Sequence, residues 1–220
     1  MKKEAHKLAV IFPGIGYTAD KPLLYFGRRI AVEYGYEIRI MDYKGFPPKV
    51  KGDRNRMEES FFIALRQAEE MLAGVDFAEY DDVVFIGKSI GTIVAAKIAA
   101  DSSAKARIRQ VLYTPLEDTF RFPIGEAIAF TGDDDPWVGK ENSRIPELCK
   151  ERGIPCRQVP HANHSLQSKD VFEDMKELRR VMKETEAFLK CSACARTRGY
   201  SAAVKARAAN YRIYMTNRKE

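Results

Sequence analysis

The stretch VVFIGKSIGTIVAAKIAA, residues 83–100, restricts the fold more than any other part of the chain. Val83, Val84, Phe85 and Ile86 have the β-branched and aromatic composition of a buried strand. Directly after a short Gly-flanked turn comes IVAAKIAA, with the Ala-rich, apolar content of a buried helix. A strand apolar on both faces must lie inside a sheet, and a helix apolar all round must be covered in turn. Both demands are met by layers of helix packed on a parallel sheet. The rest of the chain agrees. Strand-like runs are predicted at 7–12, 37–42, 83–88, 109–114, 127–131 and 155–159. Helical patterns fill about 20–34, 57–76, 90–102, 140–152 and 168–189. This βαβα alternation predicts an α/β fold with a mostly parallel central sheet flanked by helices.

The turn itself reads in two ways. Gly87-Lys88-Ser89 resembles the end of a phosphate-binding loop, whose glycine five positions earlier is here Asp82. A phosphate cradle also needs a flexible run whose N–H groups converge on an anion, and Val83–Ile86 is a strand instead. Gly87-Lys88-Ser89-Ile90-Gly91 is also G-x-S-x-G, a strand-to-helix elbow that lifts a serine above the sheet. The flanking strand, helix and small residues suit the elbow. By itself the motif is common, and an ordinary Gly-flanked turn satisfies it too.

A second glycine motif competes. Gly14-Ile15-Gly16-Tyr17-Thr18-Ala19 matches G-x-G-x-x-A after the first strand, and Asp42 ends the second. In a dinucleotide site the helix opens inside the glycine loop, so that its N-terminus meets pyrophosphate. Here Asp20 reads as the N-cap and Pro22 as part of the first turn, an arrangement that repels phosphate.

Length and charge narrow the field further. The 220 residues suit one domain, with 45% hydrophobic and 31% charged residues, as in soluble globular chains. No apolar run approaches the roughly 20 residues of a membrane span, and MKKEAHKLAVIFPGIG does not read as a secretory leader, so a cytoplasmic location is expected. From Cys191 onward there are seven basic residues and one acid, which accounts for the whole net charge of +6. A neutral body at 1–190 and a basic extension at 191–220 are therefore separated, and the body does not suit nucleic acid. Cys149, Cys156, Cys191 and Cys194, with only three histidines, do not assemble a zinc pattern, so free thiols and no metal are expected.

The loops after the later strands complete the elbow. After AIAFT comes Gly132-Asp133-Asp134-Asp135-Pro136-Trp137-Val138, and after PCRQV comes Pro160-His161-Ala162-Asn163-His164-Ser165-Leu166. Serine, aspartate and histidine on successive strand ends, in that order, resemble the α/β-hydrolase superfamily over about residues 7–190. The resemblance implies Ser89 as nucleophile, Asp135 as the acid three residues after a glycine, and His164 as the base in an Asn-His-x-Leu context. Asp133 and Asp134 remain alternatives for the acid, and His161 is expected at the rim. It also implies an oxyanion hole from the Ile90 N–H together with Ile15 or, behind it, Gly16. Tyr17, Lys88 and Trp137 are candidate substrate-binding residues, with Tyr43, Phe120 and Phe122 as further candidates for an acyl pocket. The expectation is a cofactor-free serine hydrolase for a small ester, thioester or related acyl substrate. Homo-oligomerisation is left open. PLEDTFRFPIGE, between the fourth and fifth strands, is too short for a helical cap domain. Two rival functions are a silent binding protein on the same fold and a hydrolase tethered to a polyanion by its basic tail.

Overall fold

The computed structural model describes residues 5–138 and 143–191. Its elements in chain order are β1 (Lys7–Phe12), α1 (Pro22–Glu33), β2 (Tyr36–Ile40), α2 (Arg54–Leu72), β3 (Asp82–Lys88) and α3 (Ile90–Asp101). They continue with β4 (Ile108–Tyr113), β5 (Ala127–Gly132), α4 (Ile145–Glu151), β6 (Cys156–Val159) and α5 (Val171–Lys190). The six strands form one sheet in the order β2-β1-β3-β4-β5-β6, and every pairing is parallel. The chain moves outward from β1 to β2, then crosses back to β3. The switch point where ligands bind in such sheets therefore lies between β1 and β3.

Alternation along the strands divides the core. Ala9, Ile11, Val84, Ile86, Val111, Tyr113 and Phe130 face α1 and α5, meeting Leu23, Leu24, Val181 and Leu189. On the opposite face Leu8, Val10, Val83, Phe85 and Ile108 meet Ala64, Ala68 and Leu72 of α2 and Val94, Ala95 and Ala99 of α3. β3 is buried at every residue, as its unbroken apolar run requires.

Several boundaries differ from the sequence reading, each for a local reason. Helix α1 starts at Pro22, and Asp20 does not cap it; Asp20 lies 3.3 Å from Arg28 instead. The Leu23 N–H is taken by the Tyr17 hydroxyl at 3.1 Å, so the first turn is satisfied from the preceding loop. Helix α2 begins three residues earlier than its apolar pattern suggests, because Asp53 accepts from the Arg56 N–H at 3.0 Å. The β4–β5 connection holds only a five-residue 3-10 turn, Glu117–Arg121, and no cap domain. The basic tail beyond Cys191, with Cys194, lies outside the described residues. Cys149, Cys156 and Cys191 are free thiols.

Candidate active site

Ser89 occupies the turn between β3 and α3 with φ 56° and ψ −126°, a backbone conformation strained for any residue with a side chain. Packing explains why both flanking positions are glycine. A Cβ on Gly91 would lie 2.1 Å from the Phe12 carbonyl oxygen, and one on Gly87 would lie 3.0 Å from the Thr92 Cα. The elbow is therefore pressed against the end of β1 at Gly91 and against the first turn of α3 at Gly87. The Ser89 N–H donates to the Tyr113 carbonyl at 3.0 Å, and the Thr92 hydroxyl donates to the Ser89 carbonyl at 2.6 Å.

The three residues selected by the resemblance meet. Ser89 Oγ lies 2.7 Å from His164 Nε2, and His164 Nδ1 lies 2.6 Å from Asp135 Oδ2. The second oxygen, Asp135 Oδ1, accepts from the Trp137 N–H at 2.9 Å, which fixes the carboxylate plane. Asp135 is 1% exposed, Ser89 6% and His164 7%. Asp134 is exposed and His161 is exposed, and neither replaces its neighbour in this relay.

The loops that carry the acid and the base are locked together. A Cβ at Gly132 would lie 2.0 Å from the Ala162 carbonyl oxygen, and the Asp134 N–H donates to that same carbonyl at 3.1 Å. Asn163 Oδ1 accepts from the Ser165 and Gln167 N–H groups at 2.7 and 3.3 Å, holding the turn that presents His164. The Trp137 ring lies nearly parallel to the imidazole, with centroids 5.2 Å apart and 23° between planes. Burial pushes the His164 imidazole below its ordinary range; its bond to Asp135 opposes that, while the charges of Lys88 and Lys51 add to the lowering.

Of the two loops expected to supply an oxyanion hole, the first is a tight turn. The Gly14 N–H donates to the Tyr17 carbonyl at 3.1 Å and the Tyr17 N–H to the Gly14 carbonyl at 3.2 Å. That leaves the Ile15 and Gly16 N–H groups at the tip without backbone acceptors. The turn abuts the nucleophile, since a Cβ on Gly14 would lie 3.1 Å from the Ser89 Cβ. Ile15 is half-buried beside the site and Gly16 is exposed with φ 67°. Ile90 opens α3, where an N–H has no intrahelical partner.

The structure redistributes the proposed lining. Phe120 is buried in the core with Leu112, Ala127, Ala129 and Ile145, and the Tyr43 hydroxyl is buried without a partner beneath Phe46. Neither lines a site. Tyr17 is spent on capping α1. Lys88, a candidate substrate-binding residue, is instead 3% exposed beneath the turn at Gly14, with its ammonium 4.8 Å from the centre of the Tyr17 ring. Phe122 and Trp137 do belong to an apolar cluster around Ile90, Ile93 and Leu116. Met57 and Phe61 of α2 join them, and Phe61 stacks on Phe122 at 6.4 Å. Sequence reasoning missed these two, although Met57 and Phe61 continue the Ala64–Ala68 stripe of α2 one turn beyond the sheet edge.

The chain has the α/β-hydrolase fold of a lidless serine hydrolase from Xanthomonas campestris, at TM-score 0.60 and 14% identity over 84% of this chain and 82% of that one. Est1E from Butyrivibrio proteoclasticus, in a structure with ferulic acid bound, is similar at TM-score 0.61 and 14% identity, over 87% and 91% of the two chains. An esterase from Pyrococcus furiosus is similar at TM-score 0.59 and 12% identity, over 86% and 84%. No family model and no curated protein matches the sequence. Among the described residues no cluster could hold a metal ion, and no helix is long and apolar enough to cross a membrane.

Proposed function

We propose that this protein is a serine hydrolase that cleaves a small ester, thioester or related acyl bond through an acyl-enzyme intermediate. The observation that carries the reading is the unbroken relay from Ser89 Oγ through His164 to Asp135, at 2.7 and 2.6 Å. Ser89 Oγ attacks the acyl carbonyl while His164 Nε2 takes its proton. Asp135 holds the Nδ1–H tautomer and stabilises the imidazolium. The developing oxyanion is met by the N–H of Ile90 and that of Ile15, fixed dipoles that need no reorganisation; each such donor is worth roughly a hundred- to a thousandfold in rate. His164 then gives its proton to the leaving group, and a water activated by the same imidazole releases the acid. The acyl group rests on the apolar cluster of Met57, Phe61, Phe122 and Trp137. A metal or organic cofactor has no step to perform in this cycle.

The test is covalent labelling with a fluorophosphonate. One adduct is expected, on Ser89, and Ser89→Ala should abolish both the adduct and ester hydrolysis. A folded protein that does not label, or that labels elsewhere, removes this reading.

A further inference from the structure

Among the described residues, Lys88 is the one buried charged group beside the relay that the proposed chemistry does not use. It stands at the last position of β3, next to Ser89, with its side chain on the α1–α5 face of the sheet. Its neighbour across the ladder is Tyr113, and the Gly14–Tyr17 turn covers it: a Cβ on Gly14 would touch its Cδ at 3.1 Å. Among the described residues no carboxylate lies within ion-pair distance of its ammonium and no hydrogen-bond acceptor is in reach. The face of the Tyr17 ring lies 4.8 Å from it. A lysine only 3% exposed under such a turn is screened from substrate.

We propose that Lys88 is a positioning residue whose buried charge bears on the His164–Asp135 pair and sets the pH range in which Ser89 is activated. This role rests on the serine-hydrolase reading above. The groups facing Lys88 are Asp135 from the loop after β5, His164 from the loop after β6, Tyr17 from the loop after β1, and Tyr113 from β4. Burial lifts the Tyr17 phenol to about 12 and the Tyr113 phenol higher still, so both are neutral throughout the working range. The remaining charge on His164 comes from Lys51, which lies 6.0 Å from the Trp137 ring. Burial lowers the Lys88 ammonium to about 7, with Asp135 opposing the shift. Burial disfavours the His164 imidazolium and the Lys88 charge adds to that, so the imidazole stands as the free base over a wider range than it would beside a neutral residue. Lys88 loses its own proton to solvent near neutrality, and the repulsion against the imidazolium formed during catalysis disappears with it.

The experiment is the pH profile of kcat/KM on a neutral ester, for the intact protein and for Lys88→Met, which keeps the apolar stem and removes the charge. The acid limb of the variant should move to higher pH by roughly half to one unit, a three- to tenfold loss of activity below the limb. At alkaline pH the two proteins should converge. A singly charged anionic ester should show the same shift as the neutral one. A loss confined to the anionic ester would make Lys88 a substrate contact and overturn the proposal. An unmoved acid limb in a variant that still labels at Ser89 would overturn it while leaving the hydrolase reading intact. If the intact protein does not label at Ser89, both readings fall together. Should Lys88→Met not fold, carbon-13 NMR of lysine Cε and histidine ring signals in the intact protein decides the matter. One lysine should titrate near neutrality in step with one of the three histidines. Lysines that all titrate in the ordinary alkaline range would overturn the role.

Discussion

At the N-terminal edge of the sheet Arg109 is 2% exposed; at the C-terminal edge Lys88 is 3% exposed. Arg109 is given everything a buried cation needs. Its Nε and Nη2 donate to the two oxygens of Asp82 at 3.1 and 2.9 Å, Nη2 also reaches the Tyr36 hydroxyl at 2.9 Å, and Nη1 donates to the Phe188 carbonyl at 2.7 Å. Tyr36 donates to Asp82 in turn, and the Phe188 ring lies 4.9 Å from the guanidinium carbon. This network ties β2, β3, β4 and α5 at one point. Lys88 has an aromatic ring and no counter-ion in contact. The same edge holds the strained Ser89 and the Thr114 and Thr131 hydroxyls, which are buried without protein partners. One end of the sheet therefore gives its buried cation a full set of acceptors, although the neighbouring Gln110 side chain is buried without a partner. The other end keeps strain and unmet polarity, where chemistry has a use for them.

The contrast breaks most sharply at Asp135. Asparagine there keeps the shape but donates to Nδ1 where an acceptor is needed, so His164 takes the wrong tautomer. Asp135→Asn should lower kcat by about four orders of magnitude. The same change at Asp133 or Asp134 should leave kcat within a few-fold of the parent. If either neighbour proves the crippling position, the acid has been misassigned, and steady-state kinetics on all three variants decides it.

At the other end, Arg109→Met should reverse the pattern. It leaves Asp82 buried with its main partner gone, a change that costs about 3–5 kcal/mol of stability. Urea unfolding measures that loss. The fraction that remains folded should label at Ser89 at the parental rate, because no atom of the network touches the relay. A loss of labelling in still-folded protein would show that the two ends of the sheet are coupled.

How far these roles could be read from sequence differs by end. The elbow is local: Gly87, Ser89 and Gly91 follow one another at intervals of two, and the close approach of Phe12 to Gly91 and of Thr92 to Gly87 leaves its trace in the two glycines. The βα alternation likewise dictates a parallel sheet, and six strands were legible within one or two residues. What was not legible depends on contacts between distant segments. Nothing in GKSIG distinguishes a lysine under the Gly14 turn from one in solvent. Asp82 and Arg109 are 27 residues apart, and nothing in either segment shows that they pair. Phe120 and Phe122 look equivalent, yet the short 3-10 turn sends one into the core and the other to the site. Asp20 makes a plausible cap, and only the position of the Tyr17 hydroxyl shows that the donor is already satisfied.

The lysine also leaves a thermodynamic signature of smaller size. Its folded value, about 7, lies below the ordinary lysine value, so folding disfavours the charged form. Below pH 7 both folded and unfolded states carry the proton and the destabilisation is complete. Between about pH 7 and 10 the unfolded state binds more protons than the folded one, so stability attributable to this group rises with pH. Lys88→Met should therefore stabilise the fold near pH 6, on the order of a few kcal/mol, and less near pH 9. Urea midpoints at the two pH values test it. A gain that does not shrink with pH would mean that packing, not charge, explains the change. Arg109 shows no such dependence because its guanidinium does not titrate in this range.

The smallest effect concerns the apolar shelf at the site. Met57, Phe61, Phe122 and Trp137 are half-buried, and the β4–β5 connection supplies a 3-10 turn where a lid would have to be inserted. Cavities of about 300 and 330 Å³ lie elsewhere, one at the α2–α3 side and one beside α5, and Ser89 lines neither. An acyl chain at Ser89 would lie on this shelf. Each methylene that reaches the shelf gains roughly 0.8 kcal/mol at most, about fourfold in kcat/KM, and each one beyond it gains nothing. Activity on p-nitrophenyl esters should climb over the first few carbons and then level off. Phe61→Ala should flatten that climb by a few-fold while leaving the acetate ester nearly unchanged, since the acetyl group is too short to touch α2. Activity that keeps climbing to long chains, or that jumps when substrate forms an interface, would mean that a segment of the chain closes over the site. The open end of the sheet would then need a different account.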